Sequence, residues 1–150
     1  MKRLLIVGSL TCLALASCGL DVMYADWKVN QLCATDGGVT VFVTDVLPDE
    51  LKKADGSLDV TALRRSKPGQ AYYLNQSWTQ IQAVDPVITR SELQLVRSRD
   101  QMLLAKSVIY IRPTQNVGVP LLSRSAHVCP SFDDIERMAA ATFTGFASTK

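Results

Sequence analysis

The chain alternates short apolar runs with polar, turn-rich breaks, and the runs are mostly too short and too β-branched for long helices. Val29, Leu32 and Cys33 give a one-sided apolar face after Asp26, a residue suited to an N-cap. Gly37, following Asp36, offers a left-handed stop, so a short helix is predicted from about Trp27 to Thr35. Val39-Thr40-Val41-Phe42-Val43 is β-branched and aromatic and predicts a strand, which Pro48 ends. Residues 49 to 69 read as a polar connection with turns at Asp55-Gly56 and Pro68-Gly69, holding one helical turn near Val60 to Arg65. Two short strands are predicted next, Ala71 to Asn75 and Thr79 to Val84, with Pro86 as a break.

The second half carries the firmest pattern. Glu92 to Ser98 and Met102 to Ile111 are apolar-rich runs on either side of Arg99-Asp100-Gln101 and predict an antiparallel hairpin. The turn lacks the glycine that usually follows Asp, which leaves the register open. Pro113 to Pro130 has no periodicity and reads as an irregular loop. Ser131 then serves as an N-cap, Asp133, Asp134 and Glu136 suit a helix start, and Gly145 suits a stop. Between them Ile135, Met138, Ala139, Thr142 and Phe143 share one helical face. The expected architecture is a single α+β domain over 26–150, a small antiparallel β-sheet flanked by N- and C-terminal helices.

The N-terminus obeys different rules. Met1-Lys2-Arg3 is a positive start, and Leu4 to Ala14 is an apolar stretch too short for a stable span of roughly 20 residues. It ends in Leu15-Ala16-Ser17-Cys18, which resembles the lipobox of bacterial lipoproteins. The resemblance implies a signal peptide over 1–17, cleavage between Ser17 and Cys18, and acyl chains (palmitate among them) on Cys18. Residues 18–25 would then be the lipidated cysteine and a tether. Gly19, where many inner-membrane lipoproteins have Asp, implies the periplasmic face of the outer membrane. The rest of the chain is similar to small uncharacterised proteobacterial lipoproteins through Cys33-x-x-Asp36-Gly37-Gly38, the following Val-x-Val, and Cys129-Pro130. No activity comes with that similarity.

Cysteine usage follows from the same leader. Cys12 leaves with it and Cys18 takes lipid, so Cys33 and Cys129 remain in an oxidising compartment. A Cys33–Cys129 disulfide is expected in preference to a free thiol pair or a metal site using His127 and Cys129, because His-x-Cys is not a zinc spacing.

Charge excludes one class of partner. The protein has 16 basic and 14 acidic side chains, and Lys2 and Arg3, which leave with the signal, account for the excess. Net charge therefore gives no argument for nucleic acid. The distribution is uneven. Eight acids, from Asp21 to Asp59, outnumber Lys28, Lys52 and Lys53, whereas the stretch from Arg64 to Arg124 is basic. Either the two halves pack together and neutralise each other, or the basic middle faces an anionic envelope component.

Catalytic chemistry is sparse. His127 is the one histidine, and Ser123, Ser125 and Ser131 nearby are ordinary loop hydroxyls with no Gly-x-Ser-x-Gly elbow. Asp45 and Asp49 flank a Leu-Pro turn and have no mark of a glycosidase pair. Asp36-Gly37-Gly38 puts its glycines after a helix, whereas phosphate cradles put them before one. No catalytic residue, metal or cofactor is therefore expected. Arg64, Arg65 and Lys67 beside Tyr72, Tyr73 and Trp78 form a candidate binding patch for a protein or anionic polymer, although alternation sends one of the two tyrosines to the core. The expected function is a non-enzymatic binding or accessory module of the cell envelope. The alternatives are an inhibitor or immunity lipoprotein acting on a periplasmic enzyme, a small hydrolase using His127, or a subunit of a secretion or conjugation apparatus.

Overall fold

A computed structural model describes residues 20–114, 125–130 and 134–145. The leader, the Ser17/Cys18 cleavage site, the middle of the 113–130 loop and the Ser131 cap lie outside the described residues. Helix α1 occupies 20–36. It is followed by β1 (Gly38–Val41), β2 (Asp45–Val46), a 3-10 turn (Asp49–Leu51) and α2 (Val60–Arg65). Next come β3 (Tyr72–Gln82), β4 (Ile88–Arg97), β5 (Met102–Arg112), β6 (His127–Cys129), α3 (Asp134–Thr142) and β7 (Phe143–Thr144).

Five strands form one antiparallel sheet in the order β1-β5-β4-β3, with β6 pairing the end of β5 beyond β1. The α+β expectation holds, with helices at both ends of the chain flanking the sheet. A minor parallel pair joins β2 to β7.

Period-2 alternation sorts the sheet into two faces. On one face Leu95 and Ala105 pack with Leu63 of α2 and with Met138, Ala139 and Phe143 at the end of the chain, the main core. Phe143 is 2% exposed, and burial of such a side chain contributes about 1.5–3 kcal/mol. On the other face Ile88, Val108 and Tyr110 receive Ala25 and Val29 of α1. The helix is fastened there by the Cys33–Cys129 disulfide, with Cα atoms 5.9 Å apart.

Several expected boundaries move. Residues 20–25, expected as tether, are helical, and Val22 and Ala25 are buried at three-residue spacing ahead of Val29. Asp26 therefore lies inside α1 and does not cap it; its carboxylate pairs with Arg112 instead. The left-handed residue after α1 is Gly38 (φ 98°), not Gly37. Gly37 is needed for closeness: its N–H donates to the Cys33 carbonyl at 2.8 Å, and a Cβ there would lie 2.5 Å from that oxygen.

The two strands expected over 71–84 are one continuous β3, because pairing with β4 from Tyr72↔Arg97 to Gln82↔Ile88 carries the backbone through Gln76-Ser77-Trp78. Likewise β4 starts at Ile88, four residues before Glu92. The hairpin register is set without glycine. Gln101 takes φ 54°, Asp100 accepts from Met102 N and from Arg97, and a register shift between Leu95 and Val96 leaves Leu104 of β5 as the extra residue, buried like its neighbour Ala105. Within the expected irregular loop, residues 127–129 form β6.

Candidate functional site

The acidic front and basic middle of the chain meet across the fold. Asp26 pairs with Arg112 (2.5 Å), Asp36 with Arg90 (3.2 Å) and Asp45 with Arg97 (2.6 Å). Arg97 holds the Asp45 carboxyl below the ordinary carboxylate value, against a smaller opposing effect of burial, and Tyr72 donates to the same group. Burial pushes the Asp36 carboxyl up, yet the Tyr110 hydroxyl and Arg90 outweigh it and the net direction is down. Three of the eight front acids are thus paired with arginines of the basic middle. Arg64, Arg65 and Lys67 stay exposed at and after the end of α2.

The expected aromatic–basic patch separates into three parts. Tyr72 turns to the core, its ring meeting Phe143 edge-on at 5.1 Å while its hydroxyl donates to Asp45 at 2.9 Å. Tyr73 takes the opposite face and donates to Gln101 at 3.0 Å. Arg64 and Trp78 come together on the α2/α3 face, at a cleft of about 280 Å³. Arg65 and Lys67 are not part of its lining.

Topology builds this cleft. The helices cover only one end of their sheet face. At the other end Gln76 and Trp78 of β3, Ser91 and Leu93 of β4, and Ser107 and Ile109 of β5 form a floor. Arg64 comes from the last turn of α2, which Asp59 caps by accepting from Ala62 N at 2.9 Å, and Ile135 comes from the first turn of α3. Trp78 is 57% exposed, a large apolar surface beside a cation.

The polar floor is incompletely satisfied. Gln76 Nε2 donates to Ser91 Oγ at 3.1 Å. Ser107 Oγ, in a residue 2% exposed, has no hydrogen-bond partner among the described residues. A buried hydroxyl left unpaired costs about 1–3 kcal/mol, and a ligand group would remove that penalty. The arrangement offers a guanidinium, a hydroxyl, an amide and an aromatic wall around an apolar base. Gln76, Ser91, Leu93, Ser107 and Ile109 were not singled out from sequence, and Ile135 only as part of the apolar face of the last helix; the only signal was serine recurring at inward positions of apolar strands.

His127 sits elsewhere, at β6, with Nε2 2.9 Å from Asn30 Oδ1 of α1. Ser125 uses its backbone carbonyl to accept from Arg112. Asp49 pairs with Lys52 at 2.7 Å on the surface. Among the described residues no group of three His, Cys, Asp or Glu is placed to hold a metal ion, and no helix is long and apolar enough to cross a membrane. Comparison with protein-family models, with curated proteins and with solved structures gives no match for this chain.

Proposed function

We propose that the protein is a membrane-anchored periplasmic lipoprotein, acylated on Cys18, that acts as a non-enzymatic binding module of the cell envelope. Its cleft between Arg64 and Trp78 takes an anionic group presented by the partner. The unpaired Ser107 hydroxyl carries this reading, since a buried donor with no partner is accounted for by a ligand that completes it. Arg64 at the rim supplies a charge-assisted bond, and the exposed Trp78 face supplies apolar contact area.

The test uses the full chain, tagged at its C-terminus and extracted in mild detergent, to capture partners from solubilised envelope. A partner lost with Arg64→Ala and with Ser107→Val, but kept with Lys67→Ala, supports the cleft. A partner indifferent to all three substitutions, or lost equally with Lys67→Ala, overturns it. Mass spectrometry of the N-terminal peptide checks the anchor separately, through the added mass of diacylglycerol and an amide-linked acyl chain on Cys18.

A further inference from the structure

The first two turns of α1 are apolar on both sides. Val22, Ala25 and Val29 face the sheet, while Leu20, Met23, Tyr24 and Trp27 recur at three- and four-residue spacing on the opposite side. These four are 61%, 68%, 57% and 55% exposed, and Tyr24 and Trp27 stack against each other at 5.7 Å. On the same outward side the helix then changes character. Asn30, Gln31, Ala34 and Thr35 follow, polar or small. The apolar stripe therefore spans only Leu20 to Trp27, about 10 Å of helix.

We propose that this stripe lies in the membrane interface, so that α1 docks the domain on the bilayer in place of a flexible tether. The proposal rests on the reading of Cys18 as the lipidated residue. Only Gly19 separates Cys18 from Leu20, so the Cα of Leu20 is at most about 7 Å from that of the acylated cysteine. Tyr and Trp are the residues whose apolar rings and polar tips suit the headgroup level. Two of the three acids on the helix are drawn into the fold, Asp26 by Arg112 and Asp36 by Arg90. Asp21 lies on the flank of the stripe.

One consequence is orientation. Helix α1 covers one face of the sheet and the Arg64–Trp78 cleft opens on the other. With α1 on the bilayer, the cleft faces away from the membrane, open to partners in the surrounding space.

The chain has two tryptophans, so each can be read alone. The Trp78→Phe chain, full length and acylated, is reconstituted into vesicles of phosphatidylethanolamine and phosphatidylglycerol carrying bromine at shallow acyl positions. Trp27 emission is expected to shift to the blue and to be quenched by the bromines, whereas in the reciprocal Trp27→Phe chain Trp78 stays unquenched. Mass spectrometry on the same sample reports acylation of Cys18. An acylated chain whose Trp27 emits as in water overturns the docked orientation and leaves the lipoprotein reading intact. Blue-shifted but unquenched Trp27 also overturns it, because the stripe is then covered by protein. Absence of lipid on Cys18 overturns both readings together.

Discussion

Arg112, at the end of β5, holds Asp26 from the middle of α1 at 2.5 Å, with its own side chain only 3% exposed. The same guanidinium donates to the carbonyls of Pro113 and Ser125, so one buried cation joins α1, the sheet and the two chain segments beside β6. Removing the carboxylate leaves that cation with neutral acceptors only. Asp26→Asn is expected to cost about 2–3 kcal/mol, below the value for a fully buried pair because Asp26 is one-third exposed, with a fall in Tm of roughly 5–10 °C. Arg112→Met combined with Asp26→Asn should recover part of the loss. Thermal melts of the two single variants and the double variant measure the coupling, and strictly additive losses would show that the pair is not a unit.

The second fastening of α1 depends on a glycine that the disulfide requires. A Cβ on Gly37 would sit 2.8 Å from both the Cα and the Sγ of Cys33, the partner of Cys129. Gly37→Ala is expected to destabilise by about 1–3 kcal/mol through overpacking. In the Cys33→Ala/Cys129→Ala background the sulfur contact is gone and only the backbone clash remains, so the cost of Gly37→Ala should shrink. The double cysteine variant itself should lose about 2–5 kcal/mol, since the bond closes a separation of 96 residues. Denaturant midpoints for the four chains test this, and an undiminished glycine effect without the sulfurs would count against the close approach.

How much of this was legible follows from which signals are local. The α3 face of Met138, Ala139 and Thr142, the helical turn at Val60–Arg65 and the disulfide were all readable, because periodicity, turn residues and cysteine count state them directly, although Phe143, expected on that face, begins β7 instead. The start of α1 was not. Its inward residues Val22 and Ala25 are interleaved with outward Leu20, Met23, Tyr24 and Trp27, so no amphipathic contrast marks the helix. The continuity of β3 was hidden for a related reason. Its centre, Asn75 to Gln80, is polar apart from Trp78 and exposed, and pairing with β4 alone holds it extended. The cleft was the least readable element, because its lining joins three strands and two helices and only topology brings Arg64, Trp78 and Ser107 together.

Ser107 separates stability from binding. Its hydroxyl is buried and unpaired among the described residues, so Ser107→Ala removes a desolvated group and leaves only a small void. The variant is expected to be neutral or up to about 1 kcal/mol more stable, and at the same time weaker in partner capture. Calorimetric Tm and capture yield are measured on the same preparation. A clear loss of stability would mean that the hydroxyl is satisfied in the folded protein, which would remove the main support for the cleft as a site.

The acid limb of stability should report the carboxylates that arginines hold in the fold. Asp36 and Asp45 lie below their ordinary value of 3.8, and Glu92, bonded by Gln94 and Arg90, lies below 4.5. A carboxylate depressed in the folded state contributes stability that is fully present above its unfolded-state value. That contribution disappears as pH falls through the lower, folded-state value. Tm is therefore expected to be level from about pH 8 to about pH 5 and to drop steeply below about pH 4. Asp36→Asn keeps an acceptor for Tyr110 but discards the charge facing Arg90, so its Tm should be lower at neutral pH and its acid limb shallower. The two curves should converge at the acid end, where Asp36 of the unsubstituted protein is itself protonated. Curves that run parallel into acid would show that Asp36 titrates alike in the folded and unfolded chains and that its pairing with Arg90 does not stabilise the fold.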